Sequence, residues 1–213
     1  PISARLIADL YKTAGADRLM SVDLHTAQIQ GFFDGPVDHL MAIPLLSDYV
    51  RSVVDVDNVT VVSPDTGRVR VAEQWAERLG GAPLAFVHKT RDITVPNQAV
   101  SKEVVGNIKG RTCVLIDDMI DTGGTITGAV QVLKDQGAKN VIIAATHAVF
   151  SGPAVERLSS CGADKVAVTD TLPVPREHQF ENLEVISIAP LIARAIQEVF
   201  EDGSVTSLFN GRS

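Results

Sequence analysis

Val114 to Ile126 reads VLIDDMIDTGGTI. An apolar strand, Val114, Leu115 and Ile116, leads into it, and a helix beginning near Thr125 closes it. Between them stand Asp117, Asp118 and Asp121, then Thr122, Gly123, Gly124 and Thr125. A strand-loop-helix junction of this kind leaves the first N–H groups of the helix unpaired and pointing into the loop, where they attract an anion. The two glycines allow the backbone to curl closely around a phosphate, and the threonine hydroxyls add donors. Asp117 and Asp118 would repel that phosphate; they suit sugar hydroxyls, or a magnesium ion bound to them. A phosphate cradle at one end and a hydroxyl grip at the other outline a ribose 5-phosphate. A buried strand followed by an acidic helix cap accounts for any one of these residues, but not for all seven in nine positions.

The rest of the chain frames that loop as an α/β protein. A helix over residues 3–14 precedes short strands at Leu19–Leu24 and His39–Ile43, and a second amphipathic helix carries Leu45, Leu46, Tyr49, Val50 and Val53. Strands are then expected at Val59–Val62, Leu84–Val87, Thr112–Ile116, Val141–Thr146, Val166–Thr169 and Leu183–Ile188. Helices are expected at Val69–Leu79, Ile126–Gln136, Pro153–Ser160 and Pro190–Phe200. Strands alternating with helices predict a doubly wound, mainly parallel sheet, with ligands bound beyond the carboxyl ends of its strands. That rule selects His25, Asp65, Lys89, the Asp117–Thr125 loop and His147.

Composition narrows the function classes. The 213 residues carry a net charge of -7, are 45% hydrophobic and 21% charged, and so suit an ordinary globular protein with a substantial core. An acidic balance argues against nucleic acid as the main partner. No apolar run reaches membrane-spanning length. Cys113 and Cys161 belong to no CxxC or Cys/His cluster and read as small buried residues in a reducing cytoplasm.

Two further segments bear on chemistry. SPDTGR places Asp65, Thr66, Gly67 and Arg68 in a small turn after a strand, a second candidate anion site. HKTRDITVPNQAVSK, residues 88–102, is long and polar, as lids are. Lys89 and Arg91, two apart, would share one side of an extended chain and suit charge stabilisation in phosphoryl transfer. His25 and Asp65, both at strand ends, suit a magnesium–phosphate complex, with the imidazole acting through water or by stacking on a base.

The stretches SVDLHTAQIQGFFDGPVDHL, VVSPDTGR, HKTRD, VLIDDMIDTGGTI, ATHAVFSGPA and GSVTSLF, in this order, resemble the ribose-phosphate pyrophosphokinase (phosphoribosyl pyrophosphate synthetase) family. The loop itself resembles the signature of the type I phosphoribosyltransferase fold. The resemblance implies transfer of the β,γ-diphosphoryl group of ATP to the 1-hydroxyl of ribose 5-phosphate, with magnesium as cofactor and AMP released. It further implies that Asp121, Thr122, Gly123, Gly124 and Thr125 bind the 5-phosphate and that Asp117 and Asp118 hold the 2- and 3-hydroxyls. Lys89 and Arg91 match the family's catalytic lid cations, and His25 and Asp65 its magnesium–ATP contacts. Asp65 to Arg68 match its pyrophosphate loop, although family members often read DAGG there, so Thr66 and Arg68 depart from the pattern.

The family has two similar domains and assembles as hexamers. By resemblance, residues 1–43 are the end of the first domain and 44–213 the second, with the C-terminal helix and tail packing toward the first. Roughly the opening third of the family's chain, including its adenine-binding segment, would then precede Pro1, leaving these 213 residues inactive by themselves. Two other readings share the loop: a nucleobase phosphoribosyltransferase, and a non-catalytic regulatory homologue.

Overall fold

The computed structural model describes residues 2–90 and 101–209. In chain order the elements are α1 (Ile2–Thr13), β1 (Leu19–Val22), β2 (Val37–Leu40), α2 (Ile43–Val53), β3 (Val59–Ser63), α3 (Val69–Arg78), β4 (Leu84–Thr90) and β5 (Ser101–Val105). There follow β6 (Thr112–Ile120), α4 (Gly124–Asp135), β7 (Asn140–Ala148), α5 (Ala154–Ser160), β8 (Lys165–Thr169), β9 (Leu183–Ile186) and α6 (Ala189–Phe200), with a final 3₁₀ turn at Val205–Phe209. They form two compact units, Pro1–Pro44 with Ile188–Ser213, and Leu45–Ser187.

In the first unit β1 and β2 pair in parallel, from Leu19 opposite Val37 to Val22 opposite Leu40. Two strands are too few for a sheet to be stable on its own. Leu40 is completed by Ala195 of α6 and by Val205 and Phe209 of the final turn, with Met20, Val22, Leu191 and Ile192 packed around them. The C-terminal segment thus supplies three of the four buried residues of this cluster.

The second unit is a seven-stranded sheet in the order β5-β4-β3-β6-β7-β8-β9. Its central strands are apolar on both faces: Val61, Val114, Leu115, Val141, Ile143, Val166 and Val168 are fully buried. A parallel sheet covered on both sides demands such continuous runs. Helix α3 packs on β3 and β4, and α4 on β6 and β7. All pairings are parallel except β4 with β5, so the doubly wound α/β architecture holds with one antiparallel edge.

The polar connection after Val87 is shorter than its composition suggests, since β4 runs on to Thr90 and β5 returns from Ser101, pairing Lys89 with Lys102 and Phe86 with Val105. A charged strand is suited to a sheet edge, where charge discourages pairing with another chain. The organising strand is also longer than its apolar run. β6 continues through Asp117 and Asp118 to Ile120, with Asp117 opposite Ala145 and Met119 opposite His147 of the equally long β7. Asp117 and Asp118 are therefore strand residues at the carboxyl edge of the sheet, and the loop proper is Asp121–Gly123.

Candidate functional site

The loop after β6 is braced from behind. Phe150 N–H donates to the Ile120 carbonyl at 3.0 Å and Ser151 N–H to the Asp121 carbonyl at 3.0 Å, while Arg157 Nη1 donates to the Thr122 carbonyl at 3.0 Å. Gly123 caps α4 with φ 74°, a left-handed conformation that glycine adopts at no steric cost. Its carbonyl accepts from the Thr127 amide and hydroxyl, each at 2.9 Å. Every one of these contacts consumes a carbonyl. The amides of Gly123, Gly124 and Thr125 and the exposed hydroxyls of Thr122 and Thr125 have no partner among the described residues. Donors left over at the positive end of a twelve-residue helix make this segment a candidate anion cradle.

Upstream of the cradle, three charged side chains close on one another. Arg68, in the turn between β3 and α3, places Nε 2.9 Å from Asp117 Oδ1 and Nη2 2.6 Å from Asp118 Oδ1. The Asp118 amide also donates to Asp117 Oδ1, at 2.9 Å. The side chains of Arg68, Asp117 and Asp118 are only 18%, 15% and 7% exposed. Burial raises the Asp117 carboxyl to about 7, opposed by Arg68 and reinforced by neighbouring Asp118. The native state then retains a proton that the unfolded chain loses near pH 4. This group's contribution to stability is consequently highest below that value and declines as pH climbs to about 7. A carboxyl so poised at the carboxyl end of a strand is a candidate functional group.

The turn carrying Arg68 is itself fixed. Asp65 Oδ1 accepts from the Gly67 amide at 2.8 Å, the Ser63 hydroxyl donates to the Asp65 carbonyl at 2.6 Å, and Thr66–Arg68 form a 3₁₀ turn leading into α3. Asp65 Oδ2 has no partner among the described residues. Thr66 and Gly67 are exposed.

His25 belongs to the first unit, in an exposed turn after β1. Leu24 N–H donates to His39 Nε2 at 2.9 Å and Ala42 N–H to Asp23 Oδ2 at 3.0 Å, pinning the turn on both sides. Burial pushes the His39 pKa down, which preserves a neutral acceptor ring. His39 was legible only as a residue of a strand-like piece; its supporting role requires the contact with Leu24, fifteen residues away. His147, at the end of β7, shares a 2.9 Å hydrogen bond with the Thr171 hydroxyl. The backbone of Lys89 lies in β4, and Arg91 lies outside the described residues.

Among the described residues no three His, Cys, Asp or Glu side chains group closely enough to hold a metal ion. Magnesium usually takes one or two carboxylates and completes its shell with water and substrate phosphates. Asp65, with one uncommitted oxygen, fits that mode. The Asp117–Asp118 pair fits it poorly, because a guanidinium already occupies the position of a cation between them.

Residues 89–210 match the model of the phosphoribosyl synthetase-associated domain. The chain belongs to this family. It is 67% identical over 212 residues to a ribose-phosphate pyrophosphokinase of Bifidobacterium longum, covering 99% of this chain and 62% of that one. It is 66% identical to the ribose-phosphate pyrophosphokinase of Mycobacterium bovis, covering 99% and 65% respectively. The crystal structure of phosphoribosylpyrophosphate synthetase from Mycobacterium smegmatis superposes with a TM-score of 0.87 at 62% identity, covering 95% of this chain and 65% of that one. The chain thus spans a little under two thirds of the length of the curated relatives it matches. Among the described residues of this family member, no helix is long and apolar enough to cross a membrane.

Proposed function

We propose that this chain is the greater part of a cytoplasmic ribose-phosphate pyrophosphokinase. The observation that carries the reading is one edge of one sheet: an uncommitted anion cradle at Gly123–Thr125 directly after a carboxylate pair at Asp117 and Asp118. The cradle receives the 5-phosphate, and the pair accepts hydrogen bonds from the 2- and 3-hydroxyls. The 1-hydroxyl oxygen attacks the β-phosphorus of ATP, the bond from that phosphorus to the bridging oxygen of the α-phosphate breaks, and AMP leaves while the hydroxyl proton is lost.

Magnesium bound with the triphosphate supplies positive charge against the transferring oxygens. Asp65 would hold it, and the assignment of His25 to magnesium–ATP rests on the family resemblance alone. Lys89 and Arg91 supply cations to the charge that develops in transfer. Residues 1–43, joined by α6 and the tail, belong to a first domain of the same kind, and the protein self-associates into a hexamer.

AMP release from ATP and ribose 5-phosphate, assayed on the protein at its native length, tests the reading. AMP release that requires the sugar phosphate is the expected result. Release of pyrophosphate from phosphoribosyl pyrophosphate and a nucleobase, without AMP release, would replace it with the transferase reading. Neither activity, with ribose 5-phosphate still bound, would indicate a regulatory homologue.

Two smaller predictions arise from the same geometry. Thr125→Ala removes an uncommitted hydroxyl from a doubly charged phosphate. Since a charge-assisted hydrogen bond is worth about 1.5–3 kcal/mol, KM for ribose 5-phosphate should rise roughly tenfold or more. An unchanged KM removes this hydroxyl from the site. The second concerns pH. Sugar hydroxyls donate, so they favour ionised Asp117. Because this carboxyl titrates near 7, affinity for the sugar should fall as pH drops from 8 to 6, by about tenfold at most per unit below 7. The phosphate of the ligand titrates in the same range, so the comparison is with Asp117→Asn. A calorimetric titration series with the same slope in both proteins rules Asp117 out.

A further inference from the structure

The likeness to a pyrophosphate loop assigns Arg68 to phosphate binding, yet the guanidinium spans two carboxylates on another strand. Nε and Nη2 lie on one edge of a rigid planar fork, and each meets a different aspartate, Asp117 Oδ1 at 2.9 Å and Asp118 Oδ1 at 2.6 Å. Adjacent residues on a strand ordinarily direct their side chains to opposite faces. Two carboxylates brought together at a strand end, both largely buried, repel each other and lose hydration. A fixed cation between them offsets both costs, which a flexible lysine with a single compact head cannot do in the same geometry. An ionised carboxylate has about four acceptor sites, so a bond to the guanidinium still leaves capacity for a hydroxyl.

We propose that Arg68 is a positioning residue for the sugar: it brackets Asp117 and Asp118 and holds both carboxylates in the arrangement that receives a vicinal diol. This rests on the ribose-phosphate reading above. The same turn carries Asp65, so the group that orients the sugar acceptors is tied through the two intervening residues to the group assigned to the nucleotide side. Arg68 acts through the aspartates and touches neither substrate.

The test compares wild type, Arg68→Ala and Arg68→Lys in the AMP-release assay, with ribose 5-phosphate and with 2-deoxyribose 5-phosphate, which lacks one hydroxyl of the diol. Arg68→Ala should raise KM for ribose 5-phosphate about tenfold, leave KM for ATP within twofold, and reduce the preference for ribose over deoxyribose about tenfold. Arg68→Lys retains the charge but not the fork, and should recover less than half of that preference. A raised KM for ATP, or a lower kcat, with the sugar preference intact would return Arg68 to the pyrophosphate and overturn the proposal; no change in any parameter would overturn it equally. Should Arg68→Ala fail to fold, as judged by its thermal transition, Arg68→Lys decides, an intact preference counting against the proposal. Absence of AMP release in wild type would sink the enzymatic reading instead. Calorimetric titration of wild type and Arg68→Lys with the two sugars would then still decide the role of Arg68.

Discussion

Replacing Asp118 by asparagine should lower kcat/KM for ribose 5-phosphate by about 10²-fold or more at pH 8. Asparagine has the same shape, so the loss is one of charge. Two interactions depend on that charge. One is the hydrogen bond proposed from a ribose hydroxyl, worth about 1.5–3 kcal/mol when the acceptor is ionised. The other is the 2.6 Å contact with Arg68, made where the carboxylate is only 7% exposed and poorly screened. Losing the first and loosening the second costs about 3 kcal/mol in the complex, which is two decades in rate. The substitution has a second effect of opposite sign. Asp118 helps to raise the Asp117 carboxyl, so Asp118→Asn should shift the loss of sugar affinity toward lower pH. A pH profile that stays in place while kcat/KM falls would show that the two carboxylates do not titrate as neighbours. An unchanged kcat/KM would remove Asp118 from the sugar site. Because Arg68, Asp117 and Asp118 act as one unit, Arg68→Ala combined with Asp118→Asn should cost much less than the product of the two single effects.

The parts of this site that lay in one continuous stretch were legible in the sequence. The strand, the glycine at the cap, the threonines and the helix sit within thirteen residues, and local rules of turns and helix ends read them directly. The apolar runs of β3, β6, β7 and β8 likewise announced a sheet buried on both faces. Three features were hidden, each because it depends on a distant partner. β6 extends past Ile116 only because β7 is long enough to pair with it, and because Arg68 neutralises carboxylates that a strand would otherwise disfavour. β5 reads SKEVV, without the alternation of a half-buried strand; its place is set by pairing with β4 at an edge. Arg68 stands 49 residues before Asp117, and nothing in SPDTGR distinguishes a guanidinium aimed at a phosphate from one aimed at two aspartates.

Gly106→Ala should be the most destabilising of these substitutions, lowering the midpoint of thermal unfolding by about 10 °C while sparing the proposed sugar site. Gly106 follows β5 with φ 130°, a region open to glycine and costing other residues about 1–3 kcal/mol. A methyl group there would also lie 2.6 Å from Ala85 Cβ, 2.7 Å from Ala85 Cα and 2.7 Å from the Leu84 carbonyl oxygen. Two of these atoms are backbone of β4, so no rotamer change relieves the contact; the start of β4 must move, and Ala85 is in the core. The chain beyond is held as well, since the Thr60 hydroxyl donates to the Asn107 carbonyl at 2.8 Å and Ile108 is buried. Strain and displacement together come to about 3 kcal/mol or more, and each kcal/mol moves the midpoint of a chain this size by about 2–4 °C. Gly31→Ala, where an added methyl group meets nothing within 4 Å, serves as the control and should unfold within about 2 °C of wild type. The cradle rests on β6 and α4, so Gly106→Ala, titrated well below its midpoint, should bind ribose 5-phosphate within twofold of wild type. A midpoint matching that of Gly31→Ala would mean that β4 and β5 yield freely. A large loss of sugar affinity in the folded variant would mean that the β4–β5 edge belongs to the site, and would widen it beyond Arg68, Asp117, Asp118 and the loop.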